Sequence, residues 1–486
     1  MNLPRLALLV LLVPATASAD DTFEVSVGER QLFLDDHGIA KIDGLQRTMH
    51  QPKKRGAVIE PDQPWESALQ TRCAPAWDEQ AKLYKLWMIT SVRKGSEPDS
   101  DFGGVTYAES TDGVHWTKPI QRQRKYQGSR ENNFLEFETN SMENALYHAE
   151  DPDPNQRFKG LLGALGRRPA ASPDGIHWRR LDVPEIPSGD ESNLSYDRAN
   201  GTFIATLKSN GPYGRAHGVW TSKDFKIWTN SNVTIHADKR DQELATENIR
   251  TRLSDAMLQQ PVYDNPNDYN ADIYNVGIFR YEGIYVGLPA VFHATGKIPA
   301  GNQDGFHLIQ LMCSRDLKTW QRLGERKPFI GPSPVGKGAY DLTQLLPPSA
   351  PVVRGDELWF YYTGIKYRVP PAKPDLGVGA VCLAVLRRDG FVSLDAGEAF
   401  GTITTKPFKW SGSKLMANVE TKEHGELRAE VLDTAGKVIA TSQPVKDNEP
   451  RGEFRWSQAL SESLQGQLVS LRFALREASF YAWWAE

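Results

Sequence analysis

The chain has 486 residues, of which 40% are hydrophobic, 24% charged and 10% aromatic, a globular composition long enough for two or more domains. A formal net charge of −4 gives no electrostatic ground for a nucleic-acid or acidic-lipid partner. The only cysteines, Cys73, Cys313 and Cys382, lie far apart in the chain, which excludes a disulfide scaffold and a Cys-rich metal site.

The chain opens with Arg5, an apolar run from Leu6 to Val13, and Ala17-Ser18-Ala19 before Asp20. A positive start, a short apolar core and a small-x-small ending predict a cleaved secretory signal peptide over residues 1–19 and a secreted or periplasmic mature protein. The run is too short to span a bilayer. Each cysteine sits in β-type sequence, as in Val381-Cys382-Leu383, so burial is expected of all three.

Short β-branched and aromatic runs follow, including Leu83–Met88, Gly103–Ala108, Phe203–Leu207, Gly283–Leu288 and Glu357–Tyr362. No amphipathic helix of 12 or more residues is expected. Between the runs a turn recurs. Ser110-Thr111-Asp112-Gly113-Val114-His115-Trp116 is restated as Ser172-Pro173-Asp174-Gly175-Ile176-His177-Trp178, and more loosely over 222–228 and 314–320; Arg387-Arg388-Asp389-Gly390-Phe391 is a degenerate fifth copy. Ser and Asp side chains bond nearby amides, Gly accepts positive φ, and the Trp covers the turn, so the motif is structural. Five such units predict a five-bladed β-propeller over residues 20–400, with generous loops. From 401 to 486 polar and apolar residues alternate between turns, as in Gly425–Asp433 and Gly466–Phe473, which predicts a small C-terminal β-sandwich.

Leu32-Phe33-Leu34-Asp35-Asp36, Arg47-Thr48-Met49-His50-Gln51-Pro52, the Ser-x-Asp-Gly-x-His-Trp copies and the tail from Lys406-Pro407-Phe408 to Tyr481 resemble the glycoside hydrolase family 32 and 43 superfamily, and within it a secreted bacterial family 32-like branch. The resemblance implies a five-bladed propeller with a sandwich appendage that cleaves glycosidic bonds of an oligo- or polysaccharide. No cofactor is expected, and no bound metal, because no loop has the regular Asp/Asn/Gly spacing of a calcium site. It implies an Asp in blade one as nucleophile or base, an Asp in blade two that tunes pKa, and a Glu in blade three as acid. By position the first falls on Asp36 or Asp35, and the third on Glu191 or Asp190. The second has no counterpart, because the inner strand of blade two reads as Asn132–Glu136; Asp151-Pro152 reads as a loop.

Glycoside hydrolysis needs two carboxyls flanking the bond, and a propeller supplies them where inner strands converge. Asp272 and Asp341 precede inner strands of blades four and five and are expected to complete an acidic funnel, in which crowding raises at least one pKa. His50, Lys208, His293 and Lys366 are candidates to orient hydroxyls, and Trp65, Trp77 and Tyr340 to pack sugar faces. Two further readings stand beside this one. The first is a noncatalytic propeller that binds glycans or a protein. The second is a sialidase, although here Gly follows Asp one residue too soon for its Asp-box and six blades would be expected.

Overall fold

The computed structural model describes residues 22–92, 102–139, 141–336, 338–371, 377–456 and 464–486; the expected signal peptide lies outside them. The protein is all-β and divides into two compact units, residues 49–391 and residues 22–48 together with 392–486.

The larger unit is a succession of antiparallel meanders, five among the described residues. The strand nearest the start of each meander is named here: β1 (Glu66–Gln70), β2 (Met142–Tyr147), β3 (Ser192–Asp197), β4 (Asn270–Tyr281) and β5 (Gln344–Leu346). The second and third meanders are separate four-stranded sheets, and the fourth is a five-stranded sheet. The first and fifth join into one nine-stranded sheet through a single pairing of Gly379 with Ala68. The outer strand of the fifth meander, Lys53–Ile59, comes from the start of the unit and pairs with Gly379–Arg387, so the two chain ends of the unit are tied by one ladder.

The turn motif forms alike in four copies. The Asp side chain accepts two consecutive backbone amides, as Asp174 does from Ile176 and His177 at 2.8 Å each. The next residue has positive φ: Gly113 at 74°, Gly175 at 77°, Phe225 at 63° and Leu317 at 61°. Each Trp indole then donates to that residue's carbonyl, at 3.0 Å for Trp116, 2.9 Å for Trp178 and 3.3 Å for both Trp228 and Trp320. The fifth copy is a turn of another kind, in which Asp389 accepts the Tyr281 hydroxyl at 2.6 Å.

One long helix departs from the expectation. Helix α1 (Lys239–Ser254) starts at a capping box of Asp238 and Asp241 and buries Asp241, Ala245, Ile249 and Arg252, a thin stripe at helical spacing with only two apolar members. Its polarity is why no amphipathic helix is legible there.

The smaller unit is a ten-stranded sheet built on two 18-residue strands, Leu415–Leu432 and Leu468–Ala485, which pair with each other. Along Leu468–Leu475 burial alternates residue by residue, which places Val469, Leu471, Phe473 and Leu475 in one core with Phe33, Phe408, Phe480 and Trp483. The expected boundary moves. Gln31–Leu32 pairs with Trp483 and Ala482, and Ile39–Asp43 pairs with Gly401–Thr405, so the N-terminal segment belongs with this unit and the division falls at Phe391/Val392.

Candidate functional site

In the larger unit, carboxyl and guanidinium groups gather at the starts of β2, β3 and β4 and just after the end of β1. Glu191, immediately before β3, is 5% exposed, and both of its oxygens face Arg72: Nε donates to Oε2 and Nη2 to Oε1, each at 2.8 Å. Asn275 of β4 adds a third bond to Oε2 at 2.9 Å. Burial works against the Arg72 charge, but Glu191 more than offsets it and pushes the guanidinium pKa up.

Glu143, the second residue of β2, is 6% exposed. All three of its side-chain hydrogen bonds fall on Oε2: from Arg167 at 2.9 Å, from the Ser192 amide at 2.9 Å and from the Ser192 hydroxyl at 2.8 Å. Oε1 takes none. Burial pushes the Glu143 carboxyl up to about 7; Arg167 opposes the shift and nearby Glu191 adds to it. Asn144 donates to the Ser192 hydroxyl at 2.5 Å, which ties β2 to β3 beside the two acids. Arg167 also donates to the carbonyls of Gly163 and Asp190.

On β4, Asp272 is buried and its Oδ2 accepts Arg215 at 2.9 Å, while Oδ1 is buried without a partner and burial raises the carboxyl pKa. Asp190, exposed, accepts Lys208 at 3.1 Å. Tyr274 of β4 is close enough to Glu191 that its hydroxyl pKa is raised by burial and by that carboxylate. Two histidines adjoin it. His217 meets the Tyr274 carbonyl through Nε2 at 2.9 Å and has an unpartnered Nδ1; burial brings its pKa down to about 4. His307 packs on Tyr274 with ring centroids 4.5 Å apart, and neither of its ring nitrogens has a partner. Buried polar atoms are normally satisfied, so this concentration of orphans marks a place suited to a polar ligand.

Of the acids expected from sequence, Asp190, Glu191 and Asp272 meet here. Asp36 and Asp35 do not open a blade. They fall in the bend after Leu32-Phe33-Leu34 in the smaller unit, where Asp36 is exposed and bonded to Arg47 at 2.6 Å and Asp35 accepts the His37 amide. The reason is long-range pairing: the strand ahead of them pairs with Trp483 and Ala482, and Phe33 packs on Phe480. Asp341 accepts Lys54 at 2.7 Å and Tyr362 at 2.8 Å and lines a 380 Å³ pocket with Tyr340 and Lys366 that includes neither Glu143 nor Glu191. Lys208 joins the cluster through Asp190.

His293 is a satisfied core residue, stacked on Phe306 at 5.0 Å and bonded to Asn248, with its pKa brought down to about 4 by burial. His50 is half-buried, and its amide donates to the Phe391 carbonyl. Trp65 packs on Tyr126 and Phe134, and Trp77 lines a 540 Å³ pocket with Tyr147, Tyr196 and Phe279.

Sequence reasoning missed Glu143, Arg72 and Arg167. The segment Asn132–Glu136 is not an inner strand; it touches the far edge of the first meander through a bridge from Phe134 to Thr106. The available signal was Met142-Glu143-Asn144-Ala145-Leu146-Tyr147, a strand-like run opening with an acid in the same way as Glu191-Ser192-Asn193-Leu194-Ser195-Tyr196.

No family model matches the chain, and no curated protein does. Among solved structures it is similar to an N-acetylgalactosamine deacetylase from F. plautii (13% identity, 72% of this chain and 97% of that one, TM-score 0.40). It is also similar to a family 43 arabinoxylan arabinofuranohydrolase from Bacillus subtilis (11%, 88% and 99%, 0.39) and to the Bombyx mori family 32 β-fructofuranosidase (9%, 88% and 93%, 0.40). Identities of this size fix neither substrate nor catalytic residues.

Proposed function

We propose that the larger unit hydrolyses glycosidic bonds, with Glu143 as the proton donor and Glu191 as the carboxylate that faces the developing positive charge at the sugar carbon. The observation that carries this is the contrast between two acids on neighbouring inner strands. One is clasped by a guanidinium through both oxygens; the other is pushed up to about 7 with one oxygen free of hydrogen bonds. Carboxyls in unlike environments are the working arrangement of glycosidases, one protonated to assist the leaving oxygen and one ionised. Asp190 and Lys208, at the exposed side of the cluster, are placed to meet sugar hydroxyls. With the Ala-Ser-Ala ending near residue 19, the reading is of an exported enzyme acting on an oligo- or polysaccharide.

A second reading, a glycan-binding propeller without catalysis, is favoured by one fact: the two Glu191 oxygens are already filled by Arg72 and Asn275. Incubating the purified protein with a panel of oligosaccharides, beside Glu143→Gln and Glu191→Gln, separates the two. Products released by the wild type and lost in both variants support hydrolysis; binding without products supports the second reading.

A further inference from the structure

Each carboxyl of the cluster is bonded to one basic side chain, whatever its protonation, and one further base bonds to no carboxyl. Glu143 is matched by Arg167, Glu191 by Arg72, Asp190 by Lys208 and Asp272 by Arg215. Among the described residues of the cluster, Arg368 is the cation that bonds to no carboxyl. It is half-buried, and its hydrogen bonds run only to neutral oxygens: Nε to the Gln303 carbonyl at 3.1 Å, Nη1 to Gln344 at 3.0 Å and Nη2 to Asn302 at 3.1 Å. A guanidinium has five N–H donors, so one on each terminal nitrogen remains, the fork that fits two oxygens of one anion.

Its surroundings join it to the site. The guanidinium lies 5.7 Å from the Tyr274 ring centre and 5.2 Å from that of Phe292, and Arg215 lies 5.1 and 5.2 Å from the same two rings. Both arginines reach the Asn302 side-chain oxygen. Between the rings, His307 is fully buried with both nitrogens unpartnered. A partly desolvated cation without a counter-ion is costly unless an anion arrives with the ligand.

We propose that the sugar bound at this cluster carries an oxyanion, a carboxylate or a sulfate, and that Arg368 receives it with Arg215 alongside. This rests on the reading of the cluster as the glycan site, and it sets the substrate class: acidic rather than neutral saccharides. Arg368 acts here as a specificity residue, not in proton transfer.

The test is calorimetric binding of trigalacturonate and of a sulfated galactose disaccharide, each beside its neutral counterpart, to the full chain and to Arg368→Gln and Arg368→Lys. At least one anionic probe is expected to bind about tenfold or more tighter than its neutral counterpart, the worth of one charge-assisted hydrogen bond. The arm that shows the preference identifies carboxylate or sulfate. Arg368→Gln should erase the preference, bringing the affinity for the anionic probe down to that of its neutral counterpart. Arg368→Lys, which keeps the charge without the fork, should keep part of it and guards against misfolding of the first variant. No preference for either anion, or a preference that survives Arg368→Gln, overturns the proposal. Assaying hydrolysis of the same probes separates the two claims: anion-selective binding without products defeats the hydrolase reading alone, and hydrolysis of neutral sugars without anion preference defeats this one alone.

Discussion

Arg72 and Glu191, 119 positions apart in the chain, form a two-bond ion pair in which neither side chain is more than 6% exposed. Arg72 follows the end of β1 and Glu191 precedes β3, so the pair links the first and third meanders across the second. Buried charges are kept only when each is answered, and here the answer is complete on the Glu191 side.

Removing Arg72 therefore leaves an uncompensated buried carboxylate. Arg72→Leu is expected to destabilise the larger unit by about 3–5 kcal/mol in urea unfolding. The double variant Arg72→Leu/Glu191→Leu should recover part of the loss, since it removes both charges. A double variant as unstable as the single would show that the ion pair is not the source.

Stability should fall with rising pH in the window set by Glu143. Its carboxyl sits at about 7 in the folded protein against 4.5 ordinarily, so the folded state holds a proton that the unfolded chain has released. The associated stability is complete below about 4.5 and is lost as pH rises to about 7. Glu143→Gln should flatten that slope in melting temperatures measured from pH 4.5 to 8. Asp174 acts in the opposite sense: against burial, amide bonds and His177 hold it down to about 2, so its contribution is lost only as pH falls towards that value.

Gly175 is fixed by two constraints, a φ of +77° and a Cβ position only 2.8 Å from the Trp87 ring. Gly128 has a φ of +86° and nothing within 4 Å. Each Gly→Ala change carries a left-handed backbone cost of about 1–2 kcal/mol, and Gly175→Ala adds the clash. Denaturant midpoints should rank Gly128→Ala clearly above Gly175→Ala; equal midpoints would remove the packing role given to the turn.

The three thiols should be silent in the native protein. All are buried, and burial raises Cys73 to about 11 while its Sγ is held between the Glu143 carbonyl and the Ala145 amide. Labelling by Ellman's reagent at pH 8 is expected only after denaturant is added, and then at three sites per chain. Rapid native labelling would contradict the packing around β1 and β2.

The repeating turn was the most legible part of the fold, because its chemistry is local: an Asp that caps two amides, a residue at positive φ and an indole three residues further on. Even where Phe225 and Leu317 replace glycine, the spacing survived and marked the meanders. What depends on pairing between distant segments was not legible. Nothing in Leu32–Asp36 says that its neighbouring strand pairs with Trp483, so an aspartate pair that looked like the opening of a blade belongs to the other unit. The same applies to Glu143 and Arg72, whose importance comes from the partners that the meanders bring to them. Glu191, Asp190 and Asp272 were found because each directly precedes or opens an inner strand.

The central claim is that Glu143 delivers a proton to the departing oxygen, and the most direct test is the dependence of rate on leaving group. Hydrolysis of aryl glycosides is to be compared in wild type and Glu143→Gln, using a phenol that needs protonation and a dinitrophenol that does not. The account predicts a loss of about 100-fold or more for the first, near-normal rates for the second, and wild-type activity that declines as pH rises through about 7. Equal losses on both substrates, or full activity of Glu143→Gln on the poor leaving group, would contradict it.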